Sequence, residues 1–87
     1  MREIAFMPKA WQDLGWWAKN DLKGIRKIYQ LLENCARSPF DGLGQPEALK
    51  ANYSGYWSRR INREHRLVYK VEKHRIVVHS LHGHYQD

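Results

Sequence analysis

Between Ser54 and Lys70 the chain reads SGYWSRRINREHRLVYK, and no other stretch constrains the fold as much. It has the form of two short strands around a tight polar turn. Tyr56, Trp57 and Ile61 lie before the turn, Asn62 to His65 supply it, and Leu67, Val68, Tyr69 and Val71 follow. Strand side chains alternate between faces, so Ser58 and Arg60 share a side of the first strand, while Arg66, Val68 and Lys70 share a side of the second. Leu67, Tyr69 and Val71 form the opposite face of that second strand, which is apolar enough to be core. On the other face Arg60 and Arg66 can stand opposite each other across the hairpin. Two guanidiniums side by side repel unless an anion lies between them, and the planar fork of arginine matches the oxygens of a phosphate.

The flanking segments predict what this hairpin packs against. Arg2 to Phe6 alternates polar and apolar and reads as a short strand with Ile4 and Phe6 on one face. Pro8 suits the first turn of a helix, in which Trp11, Leu14, Trp17 and Ala18 fall at helical spacing and Lys9, Gln12, Asp13 and Lys19 take the outer face. Asn20 and Asp21 can end this helix and cap the next. The second helix runs from about Asp21 to Arg37, with Ile25, Ile28, Tyr29, Leu32 and Cys35 as its apolar stripe, and is stopped by Ser38 and Pro39. So short a link makes the pair an antiparallel hairpin. SPFDGLGQP, from Ser38 to Pro46, is a loop with turn chemistry at both ends, in which Phe40 is expected to pin the loop to the core. Glu47 to Lys50 has no clear type. Glu72 to His74 is a tight turn, and Arg75 to His82 reads as a last strand with Ile76 and Val78 on one face and Val77, His79 and Leu81 on the other. The order is strand, helix, helix, loop, then a three-strand antiparallel meander. Two helices can cover one face of such a sheet, so the expected fold class is α+β with one sheet face open and Arg60 and Arg66 upon it.

At 87 residues the chain suffices for one domain, expected over residues 1–87, with a modest core to which four Trp, five Tyr and two Phe contribute. Fifteen Lys and Arg against nine Asp and Glu give +6, which favours an acidic partner: nucleic acid first, then an acidic protein, then an anionic membrane. One cysteine, Cys35, excludes an internal disulfide and fits a reducing compartment. MREIAFMPKAW has no apolar run long enough for a signal peptide, and no stretch approaches the roughly 20 apolar residues of a membrane span, so a soluble cytoplasmic protein is expected.

If the open face takes an RNA phosphate, strand cleavage without a metal needs a base for the 2′-hydroxyl, an acid for the departing 5′-oxygen, and fixed positive charge for the crowded phosphorane. Glu47, Arg60, Arg66 and His84 are candidates for these roles, although spacing alone does not bring them together. The segments SPFDGLGQPEALK and SGYWSRRINREHRLVYK, with the HY pair of His84 and Tyr85, strongly resemble the YoeB (Txe) family of bacterial toxins in the RelE-like group, over nearly the whole chain. The resemblance implies a microbial-ribonuclease-like fold, ribosome-dependent mRNA cleavage that stops translation, a silencing antitoxin of the YefM/Phd type, and a homodimer. Carried onto this sequence, it implies Glu47, Arg66 and His84 as catalytic residues and Lys50, Arg60 and Tyr85 as substrate-binding residues, with no metal or other cofactor. Ala48 stands where the family often has a second Pro, His82-Gly83 where it can carry a basic residue and an aromatic, and Gln86-Asp87 extend past the usual HY end.

Each of these residues also has a plainer reading. Taken alone, Glu47 is a solvated loop carboxylate, His84 an exposed idle histidine, and Arg60 and Arg66 surface partners of Glu64 or Asp41. Arg59 is assigned a structural or rRNA-facing surface role. Trp11, Trp17, Tyr29 and Trp57 read as core, and Cys35 as a small buried hydrophobe. His79, His82 and His84 form an HxxHxH run, but no Cys cluster or acidic ligand set accompanies it, which argues against zinc. The competing functional class is a non-catalytic module that blocks the ribosome by binding, and a metal-dependent nuclease stands third.

Overall fold

The computed structural model describes residues 1–83. Strand β1 (Glu3–Phe6) leads into helices α1 (Pro8–Asn20) and α2 (Leu22–Arg37), followed by β2 (Glu47–Ala48), a 3-10 turn (Ala51–Tyr53), β3 (Tyr56–Arg60), β4 (Arg66–Val71) and β5 (Arg75–Ser80). The sheet order is β1-β5-β4-β3-β2. β2 to β5 pair antiparallel in sequence order, whereas β1 pairs parallel with β5, Glu3 beside Arg75 and Phe6 beside Val78. Both helices pack on one face, so the fold is the expected α+β layer, with one parallel pair added at its edge.

The two helices are joined through a single residue. Asp21 closes α1 by donating its N–H to Trp17 O, and its side chain accepts from Gly24 N–H at 3.0 Å to start α2. The carboxylate satisfies one of the donors that a helix N-terminus leaves free. Close approach of the helices depends on Gly24, because a Cβ there would overlap Cε3 and Cζ3 of Trp17. Trp17 cannot give way easily: it is buried, and its Nε1–H is bonded to Leu81 O at 2.8 Å. Gly24→Ala gains about 1 kcal/mol of helix propensity but overpacks the contact by roughly 1–3 kcal/mol. A net loss of up to about 2 kcal/mol is therefore expected in urea unfolding, and a variant more stable than wild type would contradict this packing.

The core draws Trp17 from α1, Ile28, Leu31 and Cys35 from α2, and Leu67, Tyr69, Ile76 and Val78 from the sheet. Two residues expected in it lie outside. Trp11 is 65% exposed and Tyr29 64% exposed. Each flanks its helix's buried stripe: Ala10 is buried beside Trp11, and Ile28 beside Tyr29. A step of one residue turns the side chain about 100° around the helix. Trp11 meets the edge of Phe6, and the Tyr29 hydroxyl bonds to Glu33. Asp13, expected on the outer face, is instead nearly covered and accepts both Lys9 Nζ–H at 2.8 Å and Leu81 N–H at 2.9 Å.

The last strand is shorter than Arg75 to His82 and changes phase. Val68 pairs with Ser80 but Tyr69 with Val78, which leaves His79 as an extra residue in a bulge. That bulge is why Leu81 turns into the core instead of sharing a face with Val77.

Arg59 is the largest departure from expectation. It is fully buried rather than on the surface. Its Nε donates to Tyr69 Oη, one Nη to Asn34 Oδ1 and Leu43 O, and the other to Ser38 O and Asp41 O. It thus fastens the loop between α2 and β2, a role expected of Phe40, which is half exposed and leans on the Trp57 ring. Burial pushes the Tyr69 hydroxyl up to about 12 against the opposing pull of Arg59, and burial raises the Cys35 thiol above its ordinary value, so both stay neutral. Cys35 is, as expected, a buried hydrophobe.

Candidate functional site

The sheet face turned away from the helices is laid out by register. Arg60 pairs with Arg66, Ser58 with Val68, and Tyr56 with Lys70. Glu47 pairs with Ser58 from the edge strand. Paired residues project to the same side, so Glu47, Arg60 and Arg66 share one face, with Glu47 one strand from Ser58 and the arginines one pleat further along. The turn that sets this register is made by Asn62, whose Oδ1 accepts the N–H groups of Glu64 and His65 at 2.9 and 2.8 Å. An Asx turn of this kind is what Asn supplies at a chain reversal.

The electrostatics agree with convergence. Burial first, then the neighbouring charge of Arg60, lower the Arg66 pKa, while Glu47 raises it. Arg66 therefore senses both other groups and remains a cation. Its Nη1 is steadied by Asn62 O at 3.1 Å. Among the described residues neither Arg60 nor Arg66 forms an ion pair with a carboxylate; the ion pairs there are Lys9–Asp13 and Arg75–Glu72. The surface pairing with Glu64 or Asp41 that would have made these arginines ordinary does not occur among them.

Glu47 reaches the sheet through a constrained segment. Gly44 O accepts Arg60 N–H at 2.7 Å, so the loop runs against β3 before β2 begins. Gly44 has φ +79°, and a Cβ there would come within 2.7 Å of Leu31 Cδ2 and 3.2 Å of Arg60 O. Gln45 (φ 55°) and Ala51 (φ 54°) hold left-handed conformations on either side of β2, which for residues other than glycine costs roughly 1–2 kcal/mol each. Ala51→Gly should stabilise the chain by about 0.5–1 kcal/mol in thermal unfolding, and a destabilised variant would argue against that strain. Lys50 follows β2, is exposed, and begins the 3-10 turn, with its carbonyl accepting Tyr53 N–H.

Sequence reasoning missed a row of rings and cations beside the arginines. Tyr56 lies 5.2 Å from His79, centroid to centroid, and Lys70 Nζ is 6.0 Å from the Tyr56 ring. It also missed that His65 stacks on His82 at 4.2 Å against Trp16 and Trp17. No local pattern signals these contacts, because the His79 bulge and the fold-back at Leu81 create them. His84 and Tyr85 lie outside the described residues, as do Gln86 and Asp87. Among the described residues no three His, Cys, Asp or Glu side chains gather as a metal site, and no helix is long and apolar enough to cross a membrane.

Two helices on one face of a five-stranded sheet, with a basic opposite face fed by a short edge strand, is the architecture of the RelE-like toxins. The family model described as YoeB-like toxin of bacterial type II toxin-antitoxin system matches residues 6–85. The toxin YoeB of Synechocystis is 51% identical over 84 residues, covering 97% of this chain and 98% of that protein. Among solved structures, the YoeB dimer of Staphylococcus aureus superposes with TM-score 0.90 at 45% identity, covering 97% of this chain and 98% of that one. The heterotetrameric YoeB–YefM complex from the same organism gives 0.88 at 44% identity, covering 98% and 99%. The chain belongs to the YoeB-like toxin family of bacterial type II toxin–antitoxin systems.

Proposed function

We propose that this toxin is an endoribonuclease that cleaves mRNA on the ribosome and so stops translation. The observation that carries this reading is the register that sets Arg60 opposite Arg66, neither paired with a carboxylate among the described residues, with Glu47 one strand away on the same face. Glu47 takes the proton of a 2′-hydroxyl, and that oxygen attacks the adjacent phosphorus. Arg60 and Arg66 bind the phosphate and the charge that builds on the phosphorane. His84, as imidazolium, gives its proton to the departing 5′-oxygen. The P–O5′ bond breaks, leaving a 2′,3′-cyclic phosphate on one fragment and a 5′-hydroxyl on the other. Lys50 steadies the neighbouring backbone, and Tyr85 stacks on or orients a base, as aromatics do with single-stranded RNA. The ribosome supplies what so small a site lacks, a strand held bent and in line for attack.

The same reading brings partners. One solved relative is a complex of YoeB with YefM, and another is a YoeB dimer. We extend to this chain a YefM/Phd-type antitoxin, a homodimer and a place in the cytoplasm with the ribosomes. A disordered acidic antitoxin segment suits a chain of net charge +6.

The deciding experiment adds the purified toxin to programmed ribosomes, with and without a chelator, and maps the mRNA ends. New 5′-hydroxyl ends that persist in the chelator are expected. Loss of cutting in the chelator would assign a metal-dependent nuclease. Intact mRNA on arrested ribosomes would assign a non-catalytic blocker, the alternative that the basic, aromatic-bordered face also serves.

A further inference from the structure

The segment after β5 is tied to the body through main-chain groups of two residues. Leu81 N–H donates to Asp13 Oδ2 at 2.9 Å, and Leu81 O accepts from Trp17 Nε1–H at 2.8 Å. Gly83 O accepts from Arg66 N–H at 2.9 Å, and Gly83 N–H donates to His65 Nδ1 at 2.9 Å. Three of these bonds use groups whose hydrogen-bonding role is constant near neutral pH. The fourth is different, because an imidazole nitrogen accepts only while it carries no proton. Neighbouring rings hold the His65 imidazole in place: it stacks on His82 at 4.2 Å and 27°, and Trp17 meets it edge-on at 5.2 Å. Gly83 is followed in the chain by His84.

We propose that His65 is a positioning residue: its unprotonated Nδ1 holds the Gly83 N–H and thereby sets where the chain delivers His84. The catalytic consequence rests on the nuclease reading above; the latch itself does not. Among the described residues the groups facing His65 are His82 from the segment after β5, Asp13 from α1 beside the uncharged Trp16 and Trp17, and Glu64 and Arg66 on its own hairpin. Burial, then the charge of His82, lower the His65 pKa, and Glu64 and Asp13 only partly oppose this. Nδ1 is therefore free at neutral pH. The sign follows: a histidine depressed in the folded state contributes fully above about 6.5, and that contribution is lost as pH falls below this value. Protonation would also set two stacked cations face to face if His82 is charged. The proposed reaction asks opposite states of two histidines, a proton on His84 and none on Nδ1 of His65.

The test uses the full chain and two variants. His65→Phe keeps a flat ring but has no acceptor, and His65→Asn keeps an acceptor at the Nδ1 position but does not titrate. By NMR, the Gly83 amide should shift with the His65 titration in wild type. Its hydrogen exchange should quicken about tenfold or more in His65→Phe and stay slow in His65→Asn. In single-turnover mRNA cleavage on ribosomes, His65→Phe should lose about 10- to 100-fold with ribosome affinity unchanged, the usual scale for a misplaced group, and His65→Asn should recover most of the rate. A Gly83 amide indifferent to the His65 titration overturns the proposal, as does wild-type cleavage by His65→Phe. If wild type leaves mRNA whole, the nuclease reading fails and the Gly83 amide alone decides the latch.

Discussion

Replacing Arg59 by Met is expected to remove about 3–5 kcal/mol of folding stability and to lower the melting temperature by roughly 15–30 °C. The guanidinium is fully buried and bonded to five acceptors, Tyr69 Oη, Asn34 Oδ1 and the carbonyls of Ser38, Asp41 and Leu43. None of the five is a carboxylate. Met fills the space of the stem but donates to none of the five; Asn34 Oδ1 keeps the Leu43 N–H, while each of the other four loses the Arg59 donor, at about 1–3 kcal/mol apiece if it stays dry. The loop will relax and admit water, which holds the total below the sum. Arg59→Lys keeps the charge but has three donors on a point charge, so it should recover only part of the loss. Urea and thermal unfolding of the three proteins test this. A Met variant that melts within a few degrees of wild type would mean that the loop from Ser38 to Gly44 is held by something other than Arg59.

Under the proposed nuclease function, Arg66→Ala should slow mRNA cleavage by about 10²–10³-fold while leaving ribosome affinity within a few-fold, because in that mechanism its fixed charge acts mainly on the phosphorane. Arg66 is the more preorganised of the two arginines: Asn62 O steadies it, it is partly buried, and it carries the repulsion of Arg60. A phosphate between them relieves that repulsion, more so as negative charge builds up. Arg60→Ala should therefore cost less, about 10–100-fold. Glu47→Gln keeps the shape and removes the base, with an expected loss of about 10²–10⁴-fold. The readout is the single-turnover rate on ribosomes, with affinity measured in parallel. Equal arrest by all variants, with uncut mRNA, would remove the catalytic assignment of Glu47, Arg66 and His84 together.

What the sequence made legible followed from local periodicity. The stripe of α2, the double duty of Asp21 and the Arg60–Arg66 register each depend on neighbours within a few residues. The parallel pairing of β1 with β5 does not, and no local pattern reports which distant strand a short strand will join. Trp11 and Tyr29 mislead because large aromatic rings beside a helix stripe look the same as those within it. Arg59 was within reach, since it alternates in phase with Trp57 and pairs with Leu67 on the helix-facing side. Its charge argued for the surface, and only the three carbonyls of the preceding loop explain why the alternation prevailed. Of the site, the arginine pair was visible in the hairpin. Glu47 was a candidate by residue type and position, and only resemblance singled it out for catalysis, because a two-residue edge strand is too short to announce itself.

The parallel edge has a consequence for how the molecule comes into being. β1 is made first and finds its place last, since its partner, Arg75 to Val78, follows every other element in the chain. Until β5 exists, β4 has one neighbour instead of two, and the arginines ride on a ribbon whose only further neighbour is the two-residue β2. Such ribbons are marginal in water. A chain whose synthesis stops before Arg75 therefore carries both arginines without a rigid face to present them. The basic surface arrives late and as a unit, so under the proposed function incomplete copies of this toxin should be harmless to the ribosomes that make them.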